Sequence, residues 1–244
     1  MFIRLNPPAK LLTAPTVALV ILSFLAISPV IRAADTPLTE AERKTLVTRL
    51  AADTKTVSVL RLKFTQTTTS SLLKAPEVST GTLLFQRPMN FRYEYENGNI
   101  FSLDRGTFTY LLAKQKQAGR LDLRRYERQL AKYADPMGML GKIGGEYELA
   151  EAVRGAQGIR LALVPGAKRK RGQVKRVRFL ITETPAGQPL TVSGVEVELK
   201  GGDRLAWAFS KPEYNPPLQP GAFSVKIPAG VAVREALPDG ALNF

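Results

Sequence analysis

The chain has 244 residues, a formal net charge of +14, no cysteine and no histidine. Those two absences exclude disulfides, thiolate nucleophiles and every acid–base or metal design built on imidazole. The basic balance favours anionic partners such as lipid head groups or acidic protein faces.

Residues 1–33 have the layout of a secretory signal. Arg4 and Lys10 form a positive start, Val17 to Ile27 is apolar apart from Ser23, and Ile31-Arg32-Ala33 resembles a cleavage site. The apolar run is short for a membrane span, which needs about 20 residues. The expectation is a signal over 1–33 and one domain over 34–244. The domain is then periplasmic, where nucleic acid is no partner. No cysteine follows the signal to carry a lipid anchor.

Thr39-Glu40-Ala41-Glu42 reads as a capping box. It predicts a helix of about three turns to near Ala51. Leu46 and Leu50 stack at i and i+4 on its apolar stripe. Strands follow: Val57 to Thr68, Ser79 to Gln86, Asn90 to Glu96, Ile100 to Leu103 and Thr107 to Leu112. Asn97-Gly98 is a hairpin turn. Residues 113–145 break the pattern. Leu123, Tyr126, Leu130 and Tyr133 are spaced as on a helix from Arg120 to Tyr133, and Asp135-Pro136 opens a short apolar turn from Met137 to Ile143. Alternation then resumes through Ile159, Val177, Val195, Leu205 and finally Phe223-Val225-Ile227.

This pattern predicts a mainly β fold: about ten or eleven strands in one antiparallel sheet, with an N-terminal helix and a central helical insert. A sheet so wide curls. The expected form is an unclosed antiparallel β-barrel lidded by the two helical segments.

Phe91, Tyr93 and Tyr95 alternate strictly with polar residues, which gives their strand one aromatic face. With Leu46 and Leu50 on the helix, they are the candidate lining of an apolar cavity. Arg87 stands between a strand end and Pro88. A guanidinium there can hydrogen-bond several carbonyls, from the backbone or from an ester-bearing ligand. Lys168-Arg169-Lys170-Arg171 is the densest charge run and reads as a solvated hairpin tip or a docking patch. No catalytic set emerges. Ser71 and Lys74 carry the letters Ser-x-x-Lys, but in a Ser/Thr-rich loop. No cofactor or metal is expected.

Several short stretches, in this order, resemble the LolA-type carriers of outer-membrane lipoproteins. They are Phe64-Thr65-Gln66, Gly81-Thr82-Leu83 leading to Arg87-Pro88 and an aromatic strand, the turn at Asp104 to Gly106, Asp135 to Leu140, and Phe223 to Val231. The resemblance implies a monomeric carrier, not an enzyme. It would take lipoprotein or lipid acyl chains from an inner-membrane donor transporter, cross the periplasm, and deliver them to an outer-membrane acceptor. It also implies that Arg87 latches the lid through backbone carbonyls and that Phe91 belongs to the lipid-binding face. The usual Ser-Asp-Gly turn is here Leu103-Asp104-Arg105, and the basic run at 168–171 is not a family signature. The same fold also serves lipid-sensing modules and adaptors of lipid exporters, which is the alternative reading.

Overall fold

The computed structural model describes residues 35–126, 139–167, 172–184 and 189–235, all within the unit Ala33–Phe244. The chain enters through β1 (Thr36–Pro37) and then forms α1 (Glu40–Thr56). The capping box is present. Thr39 Oγ1 accepts from the Glu42 N–H at 3.3 Å, and Glu42 Oε2 accepts from the Thr39 N–H at 2.8 Å. These bonds occupy donors that a helix start leaves free.

The helix runs five residues past the expected end at Ala51. Its last turns contain threonines, which read as poor helix formers. Their hydroxyls instead donate back to helix carbonyls, Thr54 to Leu50 and Thr56 to Asp53 at 2.8 Å. Asp53 also accepts from the Leu190 N–H at 2.9 Å, a tertiary tie invisible in the local sequence.

β2 (Val59–Thr69), β3 (Glu77–Gln86), β4 (Asn90–Tyr95), β5 (Ile100–Asp104) and β6 (Thr107–Leu112) follow as consecutive hairpins. After β7 (Gln117–Asp122) come β8 (Tyr147–Gly155), β9 (Gly158–Pro165), β10 (Val174–Thr182), β11 (Thr191–Leu199) and β12 (Arg204–Tyr214), and β13 (Ala232–Arg234) ends the set. All thirteen join one sheet in the order β1-β8-β9-β10-β11-β12-β2-β3-β4-β5-β6-β7-β13. The sheet is not closed: β1 and β13 are its two edges. Every pairing is antiparallel except that of β13 with β7.

Three expectations are corrected. Gln117 to Asp122 is a strand, where the spacing of Leu123 and Tyr126 pointed to a helix from Arg120. The strand pairs with β6 through a turn at Ala113 to Lys116, and Gly119 lies beneath the Tyr110 ring, where a Cβ would come within 2.2 Å of it. Beyond it, the described residues of the insert form 3₁₀ turns at Arg124–Tyr126 and Leu140–Lys142. Residues 127–138, with half of the expected helix and the Asp135-Pro136 start of the apolar turn, lie outside the described residues. Second, Phe223 to Ile227 alternates but joins no ladder. Its carbonyls are met by side chains, Ser102 Oγ donating to that of Phe223 at 2.6 Å and Arg92 Nη1 to that of Ser224, while the Ser224 N–H donates to the Gly221 carbonyl at 2.9 Å. Third, two short edge strands, β1 and β13, raise the strand number above ten or eleven.

Directly opposed residues in neighbouring strands share a face. The register therefore carries one apolar face across the sheet. It runs from Leu149 on β8 through Leu163, Val177 and Val197 to Leu205. One step along the strands it runs from Leu161 through Phe179 and Val195 to Trp207. Past β12 the same face continues through Phe209 and Phe64, then Leu83 opposite Tyr93, Tyr93 opposite Phe101, and Phe101 opposite Tyr110. Bulges in β8, β10 and β12 bend the strands and increase their twist without breaking this face.

Candidate functional site

The apolar face divides into two packed clusters. In the first, Leu38, Leu46, Leu50 and Leu140 cover Ile159, Leu161 and Leu163 of β9, Val177, Phe179 and Ile181 of β10, and Val192 of β11. All of these side chains are buried; Leu50 is 1% exposed and Leu163 is 0%. This half is sealed by α1.

In the second cluster Leu60, Leu62, Phe64, Leu83 and Phe85 form a buried base in β2 and β3. Phe91, Tyr93, Tyr95, Trp207, Phe209 and Tyr214 pack against it and remain half-buried. Phe64 is the hub. Its ring meets Tyr93 edge-on at 5.7 Å and Tyr95 at 5.2 Å between centroids. Gly81, opposite both Phe64 and Tyr95, makes this possible, because a Cβ there would lie 2.8 Å from the Phe64 ring. The aromatic contacts extend from Tyr93 to Phe91 at 5.7 Å, from Tyr95 to Phe101 at 5.9 Å, and from Phe91 to Phe108 at 6.5 Å. All of these pairs but the tilted Phe91–Phe108 are edge-to-face, packing that adds about 0.5–1.5 kcal/mol per pair and fixes ring orientation.

One polar node interrupts the aromatic surface. Gln66 Oε1 accepts from the Tyr95 hydroxyl at 2.8 Å and from the Trp207 indole N–H at 3.2 Å. It ties β4, β2 and β12 together on the apolar face. Burial pushes the Tyr95 hydroxyl up to about 12. Burial, with Tyr95 adding to it, raises that of Tyr93 as well. Both rings, neutral at ordinary pH as any tyrosine is, are held neutral further into the alkaline range and act as apolar surface with a polar tip.

The sequence-predicted residues fall in separate places. Phe91, Tyr93 and Tyr95 share the aromatic face. Leu46 and Leu50 belong to the sealed cluster and are not brought against them; Phe209 packs against both clusters and lies between them. Arg87 is half-buried in the turn joining β3 to β4, and its N–H donates to the Ser58 carbonyl at 2.9 Å. Lys168 to Arg171 lie outside the described residues. Ser71 and Lys74 sit in an exposed turn, as an ordinary hairpin loop requires. Gln66, quoted only within the Phe64-Thr65-Gln66 stretch, and Trp207 were not named as site residues from sequence. The available signal was parity: Gln66 is a polar residue on the face set by Phe64, and Trp207 shares the alternation of Leu205 and Phe209.

The opposite face differs. Over β9 to β12 it holds an open depression of about 410 Å³ bordered by Arg160, Arg178, Glu151 and Glu196. Arg178 pairs with Glu196 and, at 3.5 Å, with Glu198. No group of residues suited to holding a metal occurs among the described residues. None of the described helices is long and apolar enough to cross a membrane.

The sheet is thus unclosed, with one half of its apolar face sealed and the other half aromatic and half-buried. The sequence matches the family described as outer membrane lipoprotein carrier protein LolA over residues 55–226, and the chain belongs to that family. No curated protein matches it. Among solved structures it is similar to an uncharacterized conserved protein from Thermus thermophilus, with a TM-score of 0.48, 11% identity, and coverage of 79% of this chain and 99% of that one. It is also similar to a LolA superfamily protein from Nitrosomonas europaea, with a TM-score of 0.46, 13% identity, and coverage of 75% and 97%. A third is the lipoprotein LppX from Mycobacterium tuberculosis, with a TM-score of 0.44, 11% identity, and coverage of 74% and 99%.

Proposed function

We propose that this protein is a monomeric periplasmic carrier, exported by a signal over residues 1–33. It takes the acyl chains of lipoproteins or related lipids from an inner-membrane donor transporter and delivers them to an outer-membrane acceptor. The observation that carries this reading is the second half of the apolar face. Its aromatic rings pack against one another yet stay half-buried, which is surface suited to an apolar guest.

The mechanism is reversible burial. Each methylene that leaves water contributes about 0.8 kcal/mol, so two or three acyl chains would bind too tightly to transfer unaided. Release then needs a competing closed state. Arg87, at the turn beside the aromatic strand, is the residue proposed to latch that state through carbonyl oxygens. Charge-assisted hydrogen bonds of this kind contribute about 1.5–3 kcal/mol each.

Native mass spectrometry of the protein purified from its own periplasm tests the reading. A co-purifying lipoprotein or acyl lipid is the expected result. Lipid-free protein that also fails to bind a fluorescent fatty-acyl probe contradicts it. Arg87→Leu is expected to load normally and to release cargo more slowly to outer-membrane vesicles, because the empty closed state is no longer favoured. Unchanged transfer would leave Arg87 with a structural role only.

A further inference from the structure

The large apolar side chains exposed among the described residues are Leu72, Leu73, Val78 and Val233, and three of these four lie on one hairpin. β2 and β3 are joined by Ser70 to Pro76, a turn held by the Leu73 N–H donating to the Ser70 carbonyl at 3.1 Å. Ser70 Oγ also accepts from the Leu72 N–H at 3.3 Å. The leucines are thus presented by a hydrogen-bonded turn. Leu72 is 91% exposed and Leu73 is 38% exposed. Lys74 beside them is exposed, and it is the one charge between Ser70 and Pro76.

The topology supplies the surroundings. Neighbouring strands are antiparallel, so alternate connections emerge at the same edge of the sheet. The turns β2–β3, β4–β5, β6–β7 and β11–β12 share one rim. The β6–β7 turn carries exposed Lys114 and Lys116 and no acid. It stands three strand spacings from β3, roughly 14 Å along the rim. Acids at the described turns and strand starts of this rim include Glu77, Glu96, Glu146 and Asp203, and Glu96 is engaged by the Thr80 hydroxyl at 2.5 Å.

We propose that the Ser70–Pro76 turn is a membrane-contacting tip: Leu72 and Leu73 enter the interface of an anionic bilayer while Lys74, Lys114 and Lys116 face its phosphates. A turn this narrow offers far less than the ~1,000 Å² that a stable protein interface buries. Two leucines flanked by a lysine suit the head-group boundary, where apolar side chains sink and cationic ends stay wet. The proposal concerns the empty protein and stands apart from the carrier reading.

The absence of native cysteine allows a clean test. Ser71→Cys and, on the opposite rim, Ala156→Cys are labelled with an environment-sensitive dye and mixed with phosphatidylethanolamine–phosphatidylglycerol vesicles. The Ser71 label is expected to shift to the blue and brighten, and the Ala156 label to stay silent. Unlabelled protein should sediment with the same vesicles, and less so with phosphatidylcholine vesicles or at high salt. Leu72→Ser combined with Leu73→Ser should weaken sedimentation about tenfold or more with melting unchanged. No sedimentation, equal sedimentation by the double variant, or equal dye responses at the two rims would overturn the proposal. A Ser71 response to protein-bearing outer-membrane fragments but not to protein-free vesicles would overturn it as well, and would make the tip a protein-docking element.

Discussion

Under α1 the sheet face is largely aliphatic and closed to water; on β4 and β12 the same face is aromatic and half open. Register makes the two halves one surface, so the difference lies in cover and residue type. Aliphatic side chains beneath a helix interdigitate to crystal-like density and leave no room for a guest. Aromatic rings held edge to face keep their places with few rotatable bonds, so they present a surface without collapsing into it. The sealed half stabilises the domain. The open half forgoes part of its burial, as the proposed uptake of a ligand requires.

The largest effect expected from this contrast is on the sealed side. Phe179→Ala, at a side chain only 1% exposed, should cost about 3–5 kcal/mol of stability. Urea unfolding measures that cost, and acyl-probe affinity per folded molecule should not change. A binding defect without a stability defect would erase the distinction between the halves.

A smaller effect belongs to the aromatic side at alkaline pH. An unfolded tyrosine ionises near pH 10, whereas burial holds Tyr95 up to about 12. The folded state therefore keeps its proton longer. The stability this contributes is fully present below about pH 10 and is lost as pH rises toward about 12. Urea midpoints followed over that window should fall, and Tyr95→Phe should flatten the fall. An identical alkaline slope in the variant would mean that Tyr95 is not the group responsible.

The smallest effect tests the cover. Thr39→Ala removes the α1 cap and should cost about 1 kcal/mol. Thermal melting detects it. The aromatic half, which α1 does not cover, should bind the probe as before, and a matching loss of probe affinity would mean that α1 reaches further than its packing shows.

What could be read from sequence follows the range of the interactions. The Thr39–Glu42 box and the Phe91-Tyr93-Tyr95 alternation are local, and both were legible. β7 was hidden because Gly119 exists to fit the Tyr110 ring of a neighbouring strand. β13 was hidden because its parallel pairing with β7 spans more than a hundred residues. Alternation in Phe223 to Ile227 mimicked a strand where side-chain donors hold the backbone. Alternation also shows which side of a strand is apolar, but not which part of a thirteen-stranded sheet a helix will cover. That is why Leu46 and Leu50 were grouped with an aromatic face they do not meet.

The central claim is that the half-open aromatic face holds acyl chains. Phe91→Glu tests it most directly, with a fluorescent fatty-acyl probe titrated into wild type and variant beside their melting curves. A carboxylate on a half-open face can reach water, while in a solid core it costs several kcal/mol. The account predicts a large loss of probe binding with a small change in melting. Loss of the fold with no separable binding defect would contradict it and return this face to ordinary core.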